Sequence, residues 1–128
     1  MTTGPGGPAQ PATRILYIDD DAGLARLVQR SLAARGYAVE HAADGGAGLA
    51  RLRQGGIDLV ALDHHMPGQT GLDLLPEIRA LPDAPPVVYV TGSEDSRVAV
   101  AALKAGAADY VWKEIGRASC RERVYGPV

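Results

Sequence analysis

The chain has 128 residues, of which 46% are hydrophobic and 22% charged, with a formal net charge of -2. That length suits one domain with a sizeable core, and the faintly acidic balance offers no cationic surplus for gripping phosphodiester backbones, which argues against nucleic-acid binding by this segment. The lone Cys120 cannot close an internal disulfide, and no run reads as a secretory signal or a membrane span of roughly 20 apolar residues, so the cytoplasm is the expected compartment.

Residues 1–13, MTTGPGGPAQPAT, are Gly-, Pro- and Thr-rich with almost nothing to bury, and are expected to form a disordered leader. Beyond them, apolar runs of strand length alternate with amphipathic runs of helix length. Ile15 to Ile18 reads as a first strand that ends in Asp19, Asp20 and Asp21, and Leu24, Leu27, Val28 and Leu32 then recur at helical spacing up to Gly36. Tyr37, Val39 and His41 alternate as a second strand. Asp44 is placed to cap a helix carrying Leu49 and Leu52, closed by Gly55 and Gly56.

A third strand, Ile57 to Leu62, delivers Asp63 at its carboxyl end, followed by the loop from His64 to Gly68. The next helix carries Leu72, Leu75, Ile78 and Leu81, and Pro76 within it predicts a late start or a kink, since proline lacks the N–H and crowds the preceding turn. Pro85 and Pro86 lead into a strand from Val87 to Val90 that ends in Thr91. Val98, Ala101, Ala102 and Ala105 mark a further helix, closed by Gly106, and Asp109 to Trp112 forms the last strand, ending in Lys113. Such alternation is that of an α/β domain with a parallel sheet and helices on both faces.

In an open parallel sheet the ligand site lies beyond the carboxyl ends of the strands. Four strand ends carry chemistry here: Asp19 and Asp20, Asp63, Thr91, and Lys113. Carboxylates crowded into one crevice repel one another unless a cation sits among them, and hard oxygen donors suit Mg²⁺. With that charge balanced by Mg²⁺ and Lys113, the carboxylate of Asp63 is a candidate nucleophile towards phosphorus, and Thr91 a hydroxyl donor to the new phosphoryl group.

Bland readings stand beside these. Asp19 to Asp21 also fit a helix N-terminal cluster, and Asp63 and Thr91 fit ordinary turn positions. Adjacent His64 and His65 suggest a metal pair, yet neighbours in extended chain point to opposite sides and rarely chelate one ion. The side chain of His65 is read either as bordering the pocket or as a plain loop residue.

At these positions the chain resembles the receiver domains of bacterial response regulators, the flavodoxin-like family that includes the chemotaxis regulator. ILYIDDDA resembles the family's first strand and acidic pair, LVALDHHMPGQTGLDLL its phosphoacceptor segment, VVYVTG its switch strand and AGAADYVWK its Lys-bearing strand. The resemblance spans residues 14–113 and implies a doubly wound, five-stranded parallel sheet of order 2-1-3-4-5. It further implies Asp63 as phosphoacceptor, Mg²⁺ held by Asp20, Asp63 and the main-chain carbonyl of His65, Asp19 acting mainly through water, and Thr91 and Lys113 gripping the phosphoryl group. Tyr110 is implied as the aromatic switch beside Thr91, and a sensor histidine kinase or phosphotransfer protein as the donor. The downstream effector and homodimerisation stay open.

After Lys113 the family pattern breaks. Glu114 stands where a proline is usual, and residues 114–128 lack the periodicity of a fifth helix, so this tail is read as atypical and non-native, its EIGRASCRERV run resembling translated adapter DNA. On that expectation the fifth helix is missing or replaced. Two alternatives stay open from sequence: a receiver-like docking module that works without phosphorylation, and a phosphatase with an Asp nucleophile.

Overall fold

The computed structural model describes residues 12–66, 68–91 and 96–112. The strands are β1 (Arg14–Ile18), β2 (Ala38–Ala42), β3 (Leu59–Asp63), β4 (His65–Met66), β5 (Gln69–Thr70), β6 (Val87–Thr91) and β7 (Asp109–Trp112). The helices are α1 (Ala22–Ala33), α2 (Gly45–Arg53), α3 (Gly71–Arg79) and α4 (Ser96–Lys104). The main sheet is parallel throughout, in the order β2-β1-β3-β6-β7, which is the doubly wound topology expected. The leader up to residue 11, Lys113 and the tail from Glu114 lie outside the described residues.

Period-two alternation sends one set of strand side chains to each face. Leu16, Ile18, Val60, Leu62, Val87 and Tyr89 form the core with Leu49 and Leu52 of α2, Leu74, Leu75 and Ile78 of α3, and Ala102 of α4. At about 25 cal/mol per Å² of apolar surface removed from water, this core is the principal force holding the strand ends in register.

Local signals set the helix ends. Asp21 caps α1 by accepting from Leu24 N–H at 3.0 Å, and Asp44 caps α2 by accepting from Ala47 N–H at 2.8 Å. Gly36, Gly55, Gly56 and Gly106 hold positive φ in the turns that follow α1, α2 and α4.

Three sequence expectations need correction. Tyr37 lies outside β2 and is 40% exposed, because β2 starts one residue later. The loop after Asp63 contains a small antiparallel hairpin, β4 with β5, turned around Gly68 at φ 80°. Helix α3 does not start late. Thr70 and Asp73 form a capping box, in which Asp73 N–H donates to Thr70 Oγ1 at 3.3 Å and Thr70 N–H donates to Asp73 Oδ2 at 3.0 Å. That box nucleates the helix at Gly71, and exposed Pro76 is accommodated inside it at the cost of its own N–H bond.

Candidate functional site: an acidic crevice at the strand ends

Register explains why residues far apart in sequence meet. Ile18 pairs with Leu62, so the next residues on β1 and β3 are Asp19 and Asp63. Asp63 in turn pairs with Val90, one step before Thr91, and Thr91 pairs with Trp112, one step before Lys113 in sequence. Asp19, Asp63 and Thr91 are buried, at 0%, 1% and 0% exposure, whereas Asp20 faces solvent.

Carboxylate oxygens of Asp19, Asp20 and Asp63 all lie within 4.8 Å of one another. Two are buried and one is open to water. Such a set of hard, negatively charged oxygens fits a divalent cation that keeps part of its water shell, as Mg²⁺ does, and fits poorly with metals that favour nitrogen or sulfur. No histidine joins the cluster. His65 contributes its main-chain N–H, which donates to Asp63 Oδ2 at 3.1 Å, while its side chain is exposed.

Asp19 is held from three directions. Its Oδ1 accepts from Asp21 N–H at 2.9 Å, its Oδ2 accepts from the Tyr17 hydroxyl at 2.5 Å, and its main-chain carbonyl accepts from His41 Nε2 at 2.6 Å. A carbonyl can only accept, so Nε2 carries the His41 proton. Burial, then the hydrogen bond to Asp19 and the charges of Asp19, Asp63 and Asp21, push the Tyr17 hydroxyl far above its ordinary pKa and keep it a donor.

A second tyrosine supports the crevice from β6. Tyr89, fully buried, is hydrogen-bonded through its hydroxyl to His64 Nδ1, and the two rings meet edge to face at 5.6 Å between centroids. Burial raises the Tyr89 pKa, with the Leu72 N–H opposing and the charges of Asp63 and Asp73 adding to the rise. Burial also lowers the pKa of His64, helped by neighbouring His65 and opposed by Asp73.

Gly71 lets α3 start against this cluster. A Cβ there would lie 2.5 Å from the Asp63 carbonyl oxygen and 2.7 Å from the Tyr89 ring, and Gly71 N–H donates to His64 O at 2.8 Å. The half-buried Tyr110 pairs with Tyr89 across β6 and β7.

Of the residues singled out from sequence, Asp19, Asp20 and Asp63 are brought together, and Thr91 sits at the adjoining strand end. Lys113 lies outside the described residues. The bland cap reading holds for Asp21 but not for Asp19 or Asp20. Sequence reasoning missed Tyr17, His41, His64 and Tyr89 as partners of the site. Tyr17 carried a signal, because a residue two before Asp19 shares its face of the strand.

Among the described residues no helix is long and apolar enough to cross a membrane. The pattern of the response regulator receiver domain family matches residues 15–125. Among curated proteins, the transcriptional regulatory protein DltR of Streptococcus agalactiae is 35% identical over 100 residues, covering 78% of this chain and 45% of its own length. The transcriptional regulatory protein ZraR of Salmonella typhimurium is 40% identical over 101 residues, covering 79% of this chain and 23% of its own. The chain thus spans less than half the length of these relatives.

Among solved structures, a response regulator receiver domain protein from Clostridium thermocellum matches with TM-score 0.74 and 31% identity, covering 80% of this chain and 83% of that one. The response regulator TrrA from Thermotoga maritima, solved in complex with Mg²⁺ and beryllofluoride, matches with TM-score 0.72 and 29% identity, over 91% of this chain and 99% of that one.

Proposed function

Because this chain belongs to the response regulator receiver domain family, the phosphoacceptor modules of two-component signalling, we propose that Asp63 is its phosphoacceptor and that a sensor histidine kinase or phosphotransfer protein is the donor. The observation that carries this assignment is the buried Asp63 carboxylate at the end of β3, within 4.8 Å of the carboxylates of Asp19 and Asp20. The family match favours neither the phosphatase nor the phosphorylation-independent docking alternative.

In this reading an oxygen of Asp63 attacks phosphorus in line, an O–P bond forms as the donor's P–N bond breaks, and the electron pair returns to the leaving imidazole. Asp20, Asp63 and the main-chain carbonyl of His65 would hold Mg²⁺, with Asp19 acting mainly through water, and the bound ion would offset the negative charge of both acceptor and phosphoryl oxygens. The His65 N–H orients Asp63 from one side. Thr91 donates its hydroxyl to the phosphoryl group and Lys113 supplies positive charge. Displacement of Thr91 towards that group then shifts Tyr110 between two arrangements that a partner distinguishes.

Residues 14–113 carry every residue of the proposed site, the family pattern runs on to residue 125 into the atypical tail, and the compartment in this proposal is the cytoplasm. The chain transfers phosphate to and from itself and does not turn over external substrates. Incubation with acetyl phosphate and Mg²⁺ tests the assignment. One acid-stable, hydroxylamine-labile phosphoryl group per chain is expected, absent in Asp63→Asn. Labelling that survives in Asp63→Asn, or continuous phosphate release from unrelated esters, would overturn it.

A further inference from the structure

The hydroxyl of Tyr17 points into the acidic crevice from the strand that bears Asp19, and nothing in the phosphoryl-transfer scheme uses it. Tyr17 is 3% exposed, and its O–H donates to Asp19 Oδ2 at 2.5 Å. It pairs with His41 on β2, whose Nε2 donates to the Asp19 main-chain oxygen. The two rings lie 6.5 Å apart between centroids. The hydroxyl, not the buried ring, is the part of Tyr17 that reaches the carboxylate.

A hydrogen bond from a neutral donor to a carboxylate strengthens as the carboxylate carries more uncompensated charge. Asp19 shares the crevice with Asp20 and Asp63, and its negative charge is least compensated when no cation is present. The Tyr17 bond therefore stabilises the cation-free cluster more than the cation-bound one. Any contact that favours the free state more than the bound state lowers the affinity of the ligand by the difference. From this asymmetry we propose that Tyr17 is a positioning residue that holds Asp19 in place and lowers the affinity of the acidic cluster for Mg²⁺. It thereby raises the Mg²⁺ concentration at which the domain becomes competent for phosphorylation.

This inference rests on the reading of the cluster as a Mg²⁺ site. The test titrates Mg²⁺ into the full chain by calorimetry, without a phosphodonor, for three proteins: wild type, Tyr17→Phe, and a protein with 3-fluorotyrosine installed at position 17. The fluorinated ring keeps the shape of tyrosine and makes the hydroxyl a stronger donor. Tyr17→Phe is expected to bind Mg²⁺ roughly 5-fold more tightly, within the range of ordinary site-to-site coupling, and the fluorinated protein more weakly than wild type.

Opposite shifts in the two proteins are what a merely structural role for the ring would not produce. Unchanged or weaker binding by Tyr17→Phe would overturn the inference. Should Tyr17→Phe fail to fold, the fluorinated protein decides alone, because equal or tighter binding there is equally fatal. Absence of Mg²⁺ binding by the wild type removes the metal-site reading and the inference with it, whereas wild-type binding with insensitive variants removes the role of Tyr17 alone.

Discussion

His64 and Tyr89 are joined by a hydrogen bond between Nδ1 and the hydroxyl, which ties the residue after the proposed phosphoacceptor to the core of the strand that ends in Thr91. The link joins β3 to β6 at the rim of the crevice, where His64 N–H also donates to Val90 O at 2.9 Å. Tyr89→Phe keeps the packing and removes the hydroxyl's bonds to His64 and to the Leu72 N–H, so it is expected to lower the unfolding free energy by about 1–2 kcal/mol. Tyr89→Leu adds a cavity in a fully buried position and is expected to cost about 3 kcal/mol or more. Urea unfolding of both variants checks the split. No loss in Tyr89→Phe would show that the hydroxyl contributes nothing, and equal losses would show that the ring adds nothing beyond it.

Gly71 is required by space. A methyl group there would press on the Asp63 carbonyl and on Tyr89, so Gly71→Ala is expected to destabilise the fold by about 1–3 kcal/mol. Because the displaced group is the backbone of Asp63, the acyl phosphate yield from acetyl phosphate should also fall at temperatures where the variant is still folded. Thermal melts and phosphorylation stoichiometry on the same sample measure both effects.

Metal binding should register as stability. A cation that binds only the folded state adds about 1.4 kcal/mol at ten times its dissociation constant, so Mg²⁺ should raise the melting temperature of the wild type and chelation should reverse the rise. Asp20 is exposed and its loss leaves the core intact. Asp20→Ala is therefore expected to fold normally yet lose the Mg²⁺-dependent increment, as read by melts with and without chelator.

Glu40 on β2 pairs with Arg51 of α2 at 2.6 Å and with Arg14 of β1 at 3.2 Å. The hydrogen bond from Arg51 leads in holding the Glu40 pKa below its ordinary 4.5, with the charges of Arg51 and Arg14 adding and desolvation opposing. A carboxylate whose folded-state pKa is depressed stabilises the fold above its unfolded pKa and loses that contribution as pH falls through the folded value. Glu40→Gln should therefore be slightly less stable than wild type at neutral pH, by under about 1 kcal/mol for a pair still partly open to solvent, with the gap closing below pH 4.5. Melts from pH 3 to 7 trace the convergence.

Strand and helix alternation, the Asp44 cap, the glycine turns and the carboxyl-end placement of Asp19, Asp20, Asp63 and Thr91 were legible in the amino-acid sequence. These features are local: period-two and period-3.6 patterning and turn chemistry act over a few residues, and a parallel sheet collects its strand ends at one rim. The start of α3 is encoded locally too, because Thr70 and Asp73 stand at capping-box spacing ahead of Pro76.

Only the tertiary structure decided which side chains surround those carboxylates. That Tyr17 reaches Asp19, that His41 reaches the Asp19 main chain across β1 and β2, and that His64 meets Tyr89 across 25 residues follow from strand register and core packing. Register is set by the apolar core as a whole, summed over many side chains, and so no short stretch of the chain contains the information that places one polar group against another.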